Sequence, residues 1–439
     1  MNPETMLRQE LREWADEARV PHDLADRALR HRRGRRGLRM AVLTAGATAA
    51  VTVAALLTVP GALRDDPARR DEAATATTTS DPVISPAPAE PAATDVRTDT
   101  ENSPPRNLIA AGRIAVSAYY VWRNERLPGG RQRTAWTWYL YDPRTETYQR
   151  TGWSWLDVSP GLRYAAVLEG ELPSRRVGIV DVATREVLRW IDLDQPVMRV
   201  LWSPDGTRLL TTAYDTDPTI VIPGRQEGSF TVPETYRLGF HVVDVNAGRA
   251  RFHAVPSERP DGGLRPFVWT PDGNLIMDRY GGRETLPADH DLDDLARPEP
   301  GKPGIAVRAG GEPVTVYYDL DGRVRPEPAE LRLAARAWQE AGLSPDGTMY
   351  ADSGAPPGPE TTVRDVRTGE VKGVQRMLQL VAWADNENLI AWGCAGGCSN
   401  EFNNALVLVS VDGRRTVQLS AYRANSQRPG SWGPLLTRR

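Results

Sequence analysis

The chain is short of the residues that build cross-linked, metal-bound or histidine-driven sites. Its 439 residues include 2 cysteines and 5 histidines. Two cysteines exclude both a disulfide-rich scaffold and a four-ligand zinc centre made of thiolates. Lysine is almost missing, with Lys302 and Lys372 against dozens of arginines. That bias fits a GC-rich coding sequence and has no chemical message. The formal net charge of −3 gives no reason to expect a nucleic-acid partner. No Gly-x-Ser-x-Gly elbow, His-Glu-x-x-His pair or phosphate-binding loop occurs. Of the histidines beyond the N-terminal region, His241 sits beside Val242 and Val243 and reads as a packed strand residue, leaving His253 and His290. The sequence therefore names no catalytic, cofactor-binding or metal-binding residue, and no cofactor is expected.

What the chain does have is one long apolar run. Met40 to Leu63 contains 24 residues without a charge. As a helix it reaches roughly 36 Å, enough for a bilayer core of about 30 Å. Arg32, Arg33, Arg35, Arg36 and Arg39 crowd its N-terminal flank with no acid among them, whereas Arg64, Arg69 and Arg70 beyond it are mixed with Asp65, Asp66, Asp71 and Glu72. The positive-inside rule then places residues 1–39 in the cytoplasm and the rest outside it. The basic tail is too long for an ordinary signal peptide, and Pro60-Gly61-Ala62 is a poor cleavage site, so an uncleaved anchor in the cell membrane is expected.

The tail 1–39 places Leu7, Leu11, Trp14 and Ala18 at helical spacing, and Asp23 starts a second short helix after Pro21. It reads as a surface-lying helix or as a docking helix for a cytoplasmic partner. Residues 64–107 are rich in Ala, Thr, Pro, Asp and Glu, with no aromatic residue. Such a segment buries too little to offset chain entropy and reads as a disordered spacer.

From residue 108 to 439 the chain repeats itself. Trp202-Ser203-Pro204-Asp205-Gly206, Trp269-Thr270-Pro271-Asp272-Gly273 and Leu343-Ser344-Pro345-Asp346-Gly347 each precede a strand-like run. Worn copies stand at Val158-Ser159-Pro160-Gly161 and Trp383-Ala384-Asp385-Asn386-Glu387, and a faint one at Ala110-Ala111-Gly112. Alternating with them are strand–turn–strand segments around Asp142, Asp181, Asp244, Asp319, Asp365 and Ser410. Four strands per full unit, repeated six times over 108–420, predict an all-β propeller of six four-stranded blades. The extra length around 215–235 and 279–312 becomes inter-strand loops on one rim.

These turns resemble the repeats of TolB-like, WD-repeat-like propellers, over about 310 residues. The resemblance implies a fold and says little about activity. No TolB-type N-terminal domain is evident, so no TolB partnership follows. The membrane-anchored layout is similar to that of actinobacterial membrane proteins.

Three constellations bear on chemistry. Cys394 and Cys398, outside the cytoplasm, are expected to close a small disulfide loop; a redox pair normally has two intervening residues, and here there are three. Asp289 to Asp294 offers carboxylates, but the calcium-loop pattern fails at Asp294 and Pro300. In the segment 134–141, Trp136, Trp138 and Leu140 share one strand face, with Tyr139 and Tyr141 on the other.

The expected function is a membrane-tethered, extracytoplasmic binding module for an envelope protein, peptide or glycan. Its lipid partner is the bilayer, through residues 40–63, and its oligomeric state is open. A transmembrane sensor acting through residues 1–39 is the alternative, although the His-x3-Cys-x2-Cys signature of many anti-sigma factors is absent there. An envelope hydrolase or quinone-dependent dehydrogenase is the third reading.

Overall fold

The Pro-Asp-Gly sequences act as local instructions. Proline fixes φ near about −65°, and the glycine enters the left-handed region, with φ of 71° at Gly206, 73° at Gly273 and 71° at Gly347. In each copy the glycine N–H donates at 2.9 Å to the carbonyl three residues back, on Ser203, Thr270 or Ser344. The hydroxyl of that residue donates to the turn aspartate, Asp205, Asp272 or Asp346. It also accepts the N–H that opens the next strand, from Arg208, Leu275 or Met349, at 2.9, 3.0 and 2.9 Å. A hydroxyl residue before proline is thus part of the instruction, because it serves two backbone or carboxylate partners at once.

The computed structural model describes residues 83–84, 94–224, 230–231, 235–255, 266–278, 315–331, 340–353, 361–396, 398 and 401–439. The tail 1–39, the arginines at 32, 33, 35, 36 and 39, the run 40–63 and the acidic stretch 289–294 lie outside these residues. Among the described residues there is no α-helix, only 3-10 turns at Pro128–Gly130 and Ala329–Leu331, and hence no helix long and apolar enough to cross a membrane.

Strand pairing forms five sheets, one of which holds two consecutive antiparallel meanders, so the chain runs through six groups. Group one contains Ile114–Arg126, Gln132–Asp142 and Thr147–Arg150. Group two runs Trp155–Val158, Tyr164–Leu168, Ser174–Asp181 and the first part of Val187–Trp202. The second part of that strand opens group three, followed by Arg208–Tyr214, Arg237–Asp244 and Arg249–Ala254. Group four is Val268–Trp269, Ile276–Asp278, Val316–Tyr318 and Val324–Arg325. Group five is Met349–Ser353, Thr361–Asp365 and Val371–Val374, edged on the inside by the Leu343–Tyr350 bridge. Group six is Gln379–Trp383, Asn388–Gly393, Ala405–Ser410 and Thr416–Gln418.

The inner strand of group one comes from the far end of the sequence. Trp432–Arg438 pairs antiparallel with Ile114–Arg126, from Trp432 opposite Val121 to Arg438 opposite Ile114. Ala115 has Thr437 on one side and Ala110 on the other. The expected first half-unit at Ala110–Ala111 is therefore a short strand on the opposite flank, and the last strand supplies the position that was read there. The boundary read at residue 107 also falls inside the folded unit. Val96–Arg97 pairs with Ala110–Ala111, and the Asp99 carboxylate accepts the N–H groups of Asn102, Arg106 and Asn107.

Successive groups pack in a closed series. Trp138 meets Trp155 between groups one and two, with ring centroids 5.2 Å apart. Three tryptophans of the turn motif repeat one inter-group bond. Trp202 Nε1–H donates to Asp157 O at 3.2 Å, Trp269 to Leu201 O at 3.3 Å and Trp383 to Gly342 O at 3.1 Å. Each acceptor immediately precedes the residue equivalent to tryptophan in the preceding group. Met277 and Tyr317 of group four pack with Leu343 of group five. Ile390 and Leu406 of group six pack with Val116 and Tyr119 of group one, closing the cycle. Sheets stacked face to face in a ring make this an all-β propeller. The alternation read in 134–141 follows from it: Trp138 and Leu140 belong to the core shared with group two, and Tyr139 and Tyr141 pack on the core shared with group six.

Candidate functional site: the loop end and the head of the channel

Because neighbouring strands are antiparallel, the two turn types fall at one end of the ring. The Pro-Asp-Gly turns at 204–206, 271–273 and 345–347 lie there, and so do the turns after Asp142, Asp181, Asp244, Asp319 and Asp365. In the latter, a carboxylate accepts nearby N–H groups, as Asp181 does from Ala183 and Thr184 at 3.0 and 2.9 Å. These residues are scaffold. The second-to-third strand connections and the links between groups lie at the other end, which we call the loop end. The insertion read from the sequence around 215–235 joins the second to the third strand of group three and so belongs to it, whereas that around 279–312 lies outside the described residues. Cys394 and Cys398 are bonded to each other in the equivalent connection of group six, with Cα atoms 5.1 Å apart.

A cleft of about 210 Å³ opens at this end between groups one and two. Trp136, Met198, Arg123, Glu125, Arg133 and Asp217 line it. The Glu125 carboxylate accepts from Arg123 Nη2 at 2.5 Å and Arg133 Nε at 2.8 Å, which holds its pKa below the ordinary value. An arm from group three, Ile220–Pro223, reaches over to pair Ile220 with Arg133 and Val221 with Gln132. Asp217 on that arm is raised by burial, although Thr219 donates to it from Oγ1 at 2.6 Å and from N at 2.8 Å.

Side chains from several groups also converge on the axis. Arg199 stands on the inner strand of group three, yet it acts electrostatically on Tyr120 of group one and Glu340 at the entry to group five. Its guanidinium carbon lies 4.7 Å from the centre of the Trp155 ring of group two. Tyr120 lies over the innermost strand, where a Cβ on Gly433 would come 2.5 Å from its hydroxyl. Arg423, on the link from group six to group one, sits 3.5 Å from the Trp392 ring centre and donates to Asn404 Oδ1 at 2.7 Å and Trp432 O at 3.3 Å. Burial lowers the pKa of Arg199, and lowers that of Arg423 to about 10; a guanidinium keeps its charge in a protein at neutral pH. Burial raises Tyr120 while the two arginines oppose the rise.

Two buried polar residues belong to the scaffold rather than the site. Asp157 accepts the Trp202 N–H at 2.6 Å, and burial pushes its carboxyl up to about 7. His241 is fully buried, with Nδ1 3.0 Å from Thr211 Oγ1, and burial lowers it to about 4, as suits the packed strand residue expected. Among the described residues no group of three His, Cys, Asp or Glu side chains is placed to hold a metal.

Sequence reasoning did not single out Arg199, Arg423 or Asp157. Arg199 in Val197-Met198-Arg199-Val200-Leu201 and Asp157 in Trp155-Leu156-Asp157-Val158 each carry the signal of a lone charge inside an apolar strand run. Arg423 carries none.

No family model matches the chain, and no curated protein matches it. Solved structures similar to it include TolB from Acinetobacter baumannii, at 18% identity over 73% of this chain and 65% of that one, with a TM-score of 0.35. An acylaminoacyl peptidase from Pyrococcus horikoshii matches at 14% identity over 74% of this chain and 47% of that one, TM-score 0.37. This chain thus spans less than two thirds of the length of either. The β-propeller domain of the Trilobed protease from Pyrococcus furiosus matches at 11% identity over 71% of this chain and 84% of that one, with a TM-score of 0.38.

Proposed function

We propose that this chain is a six-bladed propeller held outside the cytoplasm by a single membrane helix at residues 40–63, and that it binds an envelope protein, peptide or glycan at its loop end. The observation that carries the reading is the division of labour between the two ends. One end consists of short, self-satisfied turns; the other gathers the connection around 215–235, the cleft beside Trp136 and the charged groups at the head of the channel. Rigid strands presenting varied loops around a concavity are the usual architecture of a binding surface.

The end of the spacer supports the same division. Ile84 is 1% exposed, belongs to the core of groups one to three, and its N–H donates to Asn246 Oδ1 at 2.8 Å. Asn246 lies in a turn between third and fourth strands. The chain at residue 84 is therefore fastened to the turn end and leaves the loop end uncovered by it.

The test is photo-crosslinking of the full chain in cells. A crosslinker at Tyr422, on the loop end, is expected to capture one defined envelope component. The same group at Val324, beside the turns, is expected to capture none. Equal capture from both positions sinks the reading. A tag after Arg439 that reacts only from the cytosolic side sinks the topology, and a phenotype lost on deletion of residues 2–26 favours the sensor instead.

A further inference from the structure

The head of the channel carries more positive charge than nearby carboxylates neutralise. The fold pairs another buried arginine with a carboxylate: Arg237 donates to both oxygens of Asp278, at 3.1 and 2.5 Å, where groups three and four meet. Arg199 is treated differently. No carboxylate lies within ion-pair range of it among the described residues, which leaves its buried Nε–H without an acceptor and its guanidinium without a counter-charge. Arg423 is likewise held by an amide and a carbonyl, not by a carboxylate. Tyr120 is the group on which both arginines act, and among the described residues the one carboxylate with electrostatic reach to Tyr120 and Arg199 is Glu340, which is exposed; none acts on Arg423. Among the described residues, two cations against one exposed anion leave a net single positive charge there. Withdrawing an arginine from water without a partner is costly, so an unpaired one facing a channel marks a place left for an anion.

We propose that Arg199 and the Tyr120 hydroxyl, with Arg423 behind them, form an anion subsite that takes a carboxylate of a peptide partner entering from the loop end. The planar fork of guanidinium matches a carboxylate edge. A monoanion balances the net charge, whereas a dianionic phosphate overshoots it. The Trp155 and Trp392 rings beneath the two arginines provide apolar walls for the chain that carries the acid. The inference rests on the binding reading above and names its ligand chemistry.

The test uses the full chain purified in detergent and four probes in calorimetry: amidated hexaglutamate, hexaglutamine with a free C-terminus, amidated hexaglutamine and inorganic phosphate. Binding of the first assigns the subsite to side-chain acids, and binding of the second to a chain terminus; amidated hexaglutamine is expected not to bind. R199M is expected to weaken the acid-bearing peptide about tenfold or more while melting, without ligand, no lower than wild type, because it removes an unpaired charge. R199K and Y120F provide the same comparison if R199M does not fold, each weakening the peptide several-fold. Equal binding of all peptides, tighter binding of phosphate, or unchanged affinity in these variants overturns the proposal. So does a large loss of melting temperature in R199M, which marks the arginine as structural. If loop-end crosslinking still captures its component equally from R199M, the binding reading stands and the carboxylate subsite falls.

Discussion

At the scale of single residues, buried ionisable groups set how stability responds to pH. Asp157 is the clearest case, because its folded-state pKa is raised from 3.8 to about 7. In the folded chain it keeps a proton that the unfolded chain has lost, so its contribution falls as pH rises from about 4 to about 7 and is flat above. His241, depressed to about 4, works in the opposite sense over part of that window: its contribution is lost as pH falls through it. D157N isolates the first effect and keeps an acceptor for the Trp202 N–H. Urea unfolding should find D157N more stable than wild type at pH 8, by up to about 3 kcal/mol, with the advantage shrinking toward pH 4. An advantage of equal size at both pH values contradicts the assignment. Glycines differ just as sharply. Gly347 has nothing within 4 Å of an added Cβ, so G347A should cost only the left-handed backbone penalty, about 1 kcal/mol. At Gly112 a Cβ would come 2.3 Å from Ala384 O, at the seam between groups six and one, and G112A should cost at least about 3 kcal/mol. Denaturant melts of the two variants check the ordering.

At the scale of elements, what could be read from the sequence was what local rules write. Pro204-Asp205-Gly206 and its two relatives were legible because proline and glycine each prescribe a dihedral and the aspartate bonds within its own turn. The faces of the strand around Trp138 were legible because strand alternation has a strict period. The strand Trp432–Arg438 was not, since its partner lies hundreds of residues away and Pro434 weakens the strand pattern; Ala110–Ala111, next to the right strand in sequence, took its place in the reading. The channel head was illegible for the same reason. Nothing local joins Tyr120, Arg199 and Arg423, and only closure of the ring brings them together. The attachment of Ile84 belongs here too. I84D should release the segment before residue 94, and limited proteolysis should then cut up to that point, whereas wild type is protected around residue 84. Identical cleavage patterns argue against the attachment.

At the scale of the whole molecule, the propeller depends on one seam. Trp432 is 2% exposed, and its Nε1–H donates to Ser103 Oγ at 3.1 Å, so the closing strand also fixes the chain that leads into group one. Removing residues 432–439 exposes the edge of Ile114–Arg126 and opens the core shared by groups six and one. The truncated chain should lose cooperative thermal unfolding and near-ultraviolet circular dichroism rather than melt a few degrees lower. A sharp transition within a few degrees of wild type would show that the seam is dispensable.

The same seam imposes a waiting time on the newborn protein. Strand Ile114–Arg126 emerges about 300 residues before the strand that must lie beside it. At ordinary synthesis rates of roughly 5–20 residues per second, that is on the order of 15–60 seconds. Throughout that interval its backbone edge offers unsatisfied N–H and C=O groups to any other extended chain, including a second nascent copy. A protein that shuts by joining its two ends thus asks its biogenesis machinery for shelter early, and any pause late in translation prolongs its exposure to mispairing.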